Sequence, residues 1–296
     1  MKIKSGNIKT GELHALMLGA IAPRPIAFAS TVDKNGNPNL SPFSFFNAFG
    51  SKPPVVAFSP ARRVRDNTIK HTLENIYETN EVVINAVNYA MVQQASLASC
   101  EYPKGVNEFV KAGFTPVESE IVKPYRVKES PVQMECRVLQ VVETGNEGGA
   151  ANIIICEILL MHIADDILDE NNKINPHKID LVARMGADNY CRASGNAVFK
   201  VPKPNLKLGI GFDNIPSGIL NSTILTGNDL GKLGNAERLP TAEEIEKFSR
   251  LPEIIKIIDS IKSEKSESES SVHIAAKKFL DENKPEEAWK LLLMNF

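Results

Sequence analysis

Apolar positions recur at strand spacing through most of the first two hundred residues of this 296-residue chain. Residues 25–32, PIAFASTV, form an apolar and partly alternating run, followed by the turn-forming Asp33-Lys34-Asn35-Gly36-Asn37-Pro38. The Asn35-Gly36 pair predicts a hairpin there, because both residues tolerate positive φ. An apolar stretch at 40–49, Pro53-Pro54 and the strand-like VVAFS at 55–59 come next. Residues 72–79 read as helix and 81–87 as strand, with Asn88 positioned to cap a helix running to Ser99. Residues 132–142 alternate between apolar and polar, as a half-buried strand should. Residues 152–162, NIIICEILLMH, are more continuously apolar, as in a strand covered on both faces. Gly145-Asn146-Glu147-Gly148-Gly149 suits a hairpin turn between the two. Strands with few helices between them predict a mainly β fold, an antiparallel, Greek-key-like barrel with helical insertions.

The pattern changes after Pro202 and Pro204, which sets the expected domains at 1–204 and 205–296. Residues 205–240 are rich in Gly, Asn and Leu, with little periodicity. Thr241 and Glu244 then form a capping-box pattern, and Phe248, Leu251, Ile255 and Ile258 follow at helical spacing, interrupted by Pro252. Residues 263–271, SEKSESESS, are charged and serine-rich, and a mobile linker is expected there. Val272, Ala275, Ala276, Phe279 and Leu280 mark another helix, and Pro285 opens a last one carrying Trp289. The second part is therefore expected to be a mostly helical C-terminal extension.

A hydrophobic content of 43% and a charged content of 24% are those of an ordinary soluble globular protein. The formal net charge of −2 offers no general attraction to nucleic acid or anionic membranes, so neither is expected as a partner. The run 13–22 superficially resembles a signal peptide. However, Glu12 and His14 interrupt its start, and Pro23-Arg24-Pro25 stands where a small-residue cleavage site belongs. No stretch reaches the roughly 18 apolar residues of a membrane span. Cys100, Cys136, Cys156 and Cys191 form no CxxC pair and no metal-ligand cluster. They are read as reduced thiols of a cytoplasmic protein, and no metal site is expected.

Candidate chemistry concentrates between Arg24 and Asn75. A flavin ring needs flat apolar walls with backbone donors and acceptors at its edge. A 5′-phosphate needs cations, hydroxyls and free N–H groups at a helix start. Ser41-Pro42-Phe43-Ser44-Phe45-Phe46-Asn47 can supply the first, and Lys70 with Thr72 the second. Taken singly, each piece has a plainer reading. Phe43, Phe45, Phe46 and Phe49 suit core packing, Thr72 an N-cap, and Arg62, Arg63 and Arg65 a solvated turn.

In combination, RPIAFASTVD, the Asn-Gly turn, NLSPFSFFN, the Pro-Pro before VVAFS, and KHTLENI strongly resemble the flavin reductase-like family of FMN-binding split barrels. A later stretch agrees: His162-Ile163-Ala164-Asp165-Asp166, then residues 179–186 with Arg184-Met185-Gly186, then Tyr190. The resemblance covers about residues 10–202. It implies that backbone groups of Pro42, Ser44, Phe46 and Asn47 meet the flavin ring. Ser30 and Thr31 would lie near the ribityl chain or phosphate, Ser59 beside the cofactor, and Lys70 and Thr72 on the phosphate. The family usually has Asp where this chain has His71, and that side chain is expected to face water. Arg184 and Tyr190 are assigned either to the flavin face or to subunit packing. FMN as cofactor, NAD(P)H as co-substrate and a homodimer are further implications, with a redox protein among the conceivable partners.

No catalytic residue is assigned, because a bound flavin carries the redox chemistry itself. Three readings follow from the resemblance: an NAD(P)H-dependent flavin reductase or flavoredoxin-like electron carrier, an FMN-dependent oxygen-using enzyme acting on a small organic substrate, and a non-catalytic flavin-binding module.

Overall fold

The structure is a computed structural model describing residues 1–202, 208–263 and 268–295. The chain forms two compact units, residues 1–199 and 200–296. In the first, α1 (Thr10–Ala20) precedes β1 (Ala27–Val32), β2 (Pro38–Phe43), β3 (Phe46–Ser51) and β4 (Pro54–Phe58). Then come α2 (His71–Thr79), β5 (Glu81–Asn85), α3 (Val92–Leu97), α4 (Glu108–Ala112), β6 (Pro116–Val117) and β7 (Arg126–Val127). The long β8 (Val132–Glu143) and β9 (Asn152–Ile163) follow, with β10 (Val182–Arg184) and β11 (Tyr190–Arg192) as a separate pair.

Seven strands make one antiparallel sheet in the order β2-β1-β5-β8-β9-β4-β3. Its edge strands β2 and β3 are consecutive in the chain, joined only by Ser44 and Phe45. Laid flat, those edges would stand about 29 Å apart, at ~4.8 Å per strand spacing. The three-residue step from Phe43 to Phe46 spans at most about 11 Å. The sheet must therefore curl until its edges meet, and it becomes a split barrel, with no hydrogen-bonded ladder between β2 and β3.

The barrel interior gathers Ala27, Ala29, Phe43, Val56, Phe58, Ile84, Ile154 and Cys156. Leu73 and Ile76 of α2 join this cluster, and the small Ala27 and Ala29 leave room for them. The opposite face of β1 and β2 presents Phe28 and Leu40 to a second cluster containing Met91, Phe109 and Phe114.

Several expectations need correction. At the first hairpin, Gly36 alone takes positive φ, at 85°. Its N–H closes on the Asp33 carbonyl at 3.0 Å, while the Asp33 carboxylate accepts the N–H groups of Asn35 and Asn37. Asn88 makes no side-chain cap, and a 3₁₀ turn at Tyr89–Met91 precedes a shorter α3. β9 is not covered on both faces: Ile154 and Cys156 are buried, whereas Leu159, Met161 and Ile163 are exposed.

The second unit is helical: α5 (Ser217–Leu220), α6 (Gly227–Gly234), α7 (Ala242–Ser249), α8 (Pro252–Ser263), α9 (Ser268–Asp281) and α10 (Pro285–Leu292). The Thr241–Glu244 capping box forms, and Pro252 separates α7 from α8. A second box, Thr226 with Asp229, starts α6 in a stretch whose glycines hide the helical period. Trp289 is fully buried here and donates its indole N–H to the Leu233 carbonyl at 3.0 Å. Of the expected mobile linker at 263–271, residues 264–267 lie outside the described residues, and its flanks belong to α8 and α9. Among the described residues no helix is long and apolar enough to cross a membrane.

Candidate functional site

Where β2 meets the start of α2, the first unit opens a small polar cleft. Asn39, Ser41, Arg63, Lys70, Thr72 and Glu101 are among its lining residues. No side chain caps the first turn of α2, whose N-cap is Lys70. The backbone N–H groups of that turn therefore add a partial positive charge to the cations around them.

Thr72 is buried at the back of the cleft, and its hydroxyl accepts from Asn39 Nδ2 at 2.9 Å. Asn39 Nδ2 also reaches Thr31 Oγ1 at 3.3 Å, and Thr31 accepts from Asn75 Nδ2 at 3.1 Å. These four side chains form a buried polar net tying β1, β2 and α2 together. Each hydroxyl accepts within the net, so its own proton is left to point elsewhere.

The rim is cationic and crowded. Arg63 donates to the Ile69 carbonyl at 2.7 Å and to Glu101 at 3.1 Å. Lys70 Nζ stands 3.7 Å from the same Glu101 carboxylate, and Arg65 pairs with it as well. Burial and the neighbouring Arg63 charge push the Lys70 ammonium below its usual value, against the pull of Glu101. His71, expected to face water, lines the cleft half-buried, and burial lowers its pKa. That shift favours the neutral imidazole over the charged one. Glu108 is buried beside the cleft and accepts the edge N–H of Leu40 at 3.1 Å.

The other anticipated positions divide. Lys70 and Thr72 line the cleft, and Thr31 stands one hydrogen bond behind it. Pro42 and Ser44 continue along β2 and its exit, half-buried, with Ser44 Oγ 3.5 Å from Arg24 Nε. Phe46 is partly buried against the barrel core, while Asn47 is exposed on β3. Ser59 is buried just past β4; its N–H meets the Phe45 carbonyl at 2.9 Å and its hydroxyl has no partner. Ser30 is fully buried on the β1 face shared with Phe28, across from Leu40, away from the cleft. Phe43 packs in the core against Phe58, with ring centroids 5.5 Å apart, and Phe49 is exposed.

Arg184 and Tyr190 are not at this cleft. They pair across β10–β11 and line a separate cavity. Arg63 and Glu101 were not anticipated as cleft residues. Arg63 sits in a turn that reads as solvated, and Glu101 comes from a segment with no periodic signal.

A flavin phosphate fits the cleft on chemical grounds. It meets two cationic side chains, Thr72, and an uncapped helix start. The Ser59 hydroxyl is buried without a partner just past β4, outside the residues that line this cleft.

A family model described as flavin reductase like domain matches residues 18–180, more than half of the chain. An uncharacterized protein of Aquifex aeolicus (strain VF5) is 40% identical over 189 residues, covering 64% of this chain and 94% of its own. Among solved structures, nitrilotriacetate monooxygenase component B from Bacillus cereus superposes with a TM-score of 0.63 at 26% identity. That match covers 68% of this chain and 98% of that one. A split-barrel-domain protein of Shewanella frigidimarina NCIMB 400 matches at a TM-score of 0.58 and 26% identity, covering 69% and 99%.

Proposed function

Since this chain belongs to the flavin reductase-like family, we propose that it is an FMN-binding oxidoreductase that accepts hydride from NAD(P)H. The observation that carries this reading is the cationic cleft at the uncapped start of α2, open beside β2 and its SPFSFFN segment. FMN is favoured over phosphate-free riboflavin because Arg63 and Lys70 share the single Glu101 carboxylate, which leaves cationic charge at the rim for a phosphate to meet. Pro42, Ser44, Phe46 and Asn47 would offer backbone groups to the ring, and Ser59 its hydroxyl. Thr31, through the buried net, would orient Thr72. Bound FMN would supply hydride acceptance and electron release; the protein's own part is to hold, orient and shield the ring.

A homodimer belongs to the same proposal. Leu139, Leu159, Met161 and Ile163 leave apolar surface exposed along β8–β9, and α1 buries no residue while exposing Leu16 and Met17. A second copy of the chain is the occupant suggested by such a surface on a small barrel. The likeness to one component of a monooxygenase favours an electron acceptor on a separate protein.

Replacing Lys70 and Thr72 together by Ala tests the site. Equilibrium titration should show FMN affinity falling at least tenfold, about 1.4 kcal/mol or more. Unchanged affinity would remove the phosphate assignment.

A further inference from the structure

A second cavity, of about 370 Å³, opens in the first unit between the Tyr89–Met91 turn with α3 on one side and β10–β11 on the other. Tyr89, Gln93, Ser96, Arg184, Tyr190 and Arg192 contribute its chemistry. The volume lies within the range of small-molecule sites, roughly 300–1,000 Å³.

Its two arginines are held differently. Arg192 lies 3.8 Å from the Tyr89 ring centroid and is neutralised by Asp180, with both hydrogen bonds at 2.7 Å. Arg184 has only neutral partners: Nη1 donates to the Tyr190 hydroxyl at 3.0 Å and Nη2 to the Ala187 carbonyl at 2.8 Å. Its Nε–H is shut away without an acceptor. Arg24 runs alongside, its backbone paired with that of Arg184 at 2.9 Å in both directions. The Arg24 guanidinium is likewise satisfied by carbonyls, those of Leu18, Ile21 and Met185. Two adjacent guanidinium groups thus carry charge that no contacting carboxylate offsets. A guanidinium has five N–H donors, so Arg184 keeps Nη hydrogens beyond those it spends on Tyr190 and Ala187.

The walls suit a flat ring. Tyr89, exposed but with Arg192 over its ring, and Tyr190, with Arg184 over its ring, supply aromatic surface, and Val92 and Val182 add apolar lining. Asp188 stands exposed at the cavity, where it penalises a second negative charge on a ligand. A monoanion is favoured over a phosphate for that reason.

We propose that this cavity binds a planar aromatic carboxylate, its ring against the tyrosine wall and its carboxylate on the Arg184 guanidinium. Arg184 stacks 4.8 Å from the Tyr190 centroid, which fixes the guanidinium plane before a ligand arrives. A purely structural Arg184 would hold the turn at Ala187 and nothing more. That role would leave the cavity indifferent to the charge of what enters it. This cavity shares no lining residue with the flavin cleft.

Isothermal titration of the full-length protein tests it, with benzoate, the neutral isostere benzamide, and the ring-free acetate as probes. Benzoate should bind one per chain, and the other two at least tenfold more weakly. Arg184→Gln should weaken benzoate at least tenfold. Ser96→Phe, which fills the cavity from α3 without touching the guanidinium, should do the same, and circular dichroism checks that both variants fold. Absent benzoate binding, binding that neither variant alters, or acetate binding as well as benzoate would overturn the proposal. Competitive displacement of benzoate by NADPH would overturn the ligand class and assign the cavity to a dinucleotide.

Discussion

Glu135 is a carboxylate with no solvent exposure, on a strand whose neighbours are largely apolar. Burial pushes its pKa up, but the N–H groups of Glu120, Ile121 and Val122 and the His162 ring outweigh that, and the net direction is down. A depressed native pKa means stability that is complete above the unfolded value, about 4.3, and lost as pH falls through the native one. Thermal melts should therefore show the protein losing stability below about pH 4.5. Glu135→Gln should be less stable at pH 7, by about 1–3 kcal/mol, and flatter through that acid window. Equal slopes for the two proteins would contradict this role. At this scale the sequence is legible where contacts are local. Lys70 and Thr72 declare themselves together at the start of a helix. The partnership of Glu135 with residues 120–122, or of Lys70 with Glu101, depends on loops returning from a distance, and neither leaves a periodic trace.

Among the elements, the β8–β9 hairpin does more than fill the barrel wall. Its turn meets the arginine loop: Gly149 N–H donates to the Arg62 carbonyl at 3.0 Å, and Arg62 N–H to the Ala150 carbonyl at 2.9 Å. Asn67 Nδ2 adds a bond to the Asn146 carbonyl at 2.9 Å. A Cβ at Gly148 would lie 2.9 Å from the Val64 carbonyl oxygen and 3.0 Å from that of Arg63. Gly148→Ala should push the loop outward and move Arg63 from the cleft. FMN affinity should fall roughly threefold to tenfold, about 0.7–1.4 kcal/mol, in a fluorescence titration. Retained affinity would show that Arg63 is dispensable or that the loop yields without cost. The hairpin itself is readable from two long runs flanking a glycine-rich turn. Its register breaks at Glu135/Cys136 and Val138/Gln140 are not, because they are set by how β8 pairs with β9 and not by either run alone. At β9 a continuous apolar run predicts cover on both faces, yet Leu159, Met161 and Ile163 are exposed, because the run alone does not show which face another element covers.

For the molecule as a whole, curling of the sheet follows from two consecutive edge strands, and it brings the α2 start beside the β2 edge to make the cleft. The antiparallel barrel class was legible from strand patterning together with motif resemblance; the strand order was not, since it depends on pairings between distant segments. The boundary between compact units, at 199/200, predicts that a chain ending at Phe199 folds and takes up flavin. Ending the chain at Ser263 instead would strip Leu280, Trp289 and Leu291 from the second core and expose Leu233. Circular dichroism and solubility should find the shorter chain well-behaved and the longer one prone to aggregate. The reverse ranking would mean that the barrel needs its extension. An anaerobic absorbance spectrum of the full-length protein loaded with FMN, recorded before and after NADH and then NADPH, decides whether this chain is a flavin-dependent oxidoreductase. Protein-bound flavin bands should appear and bleach with at least one of the two nucleotides. A protein that takes up no FMN, or holds it oxidised against both donors, would contradict that function.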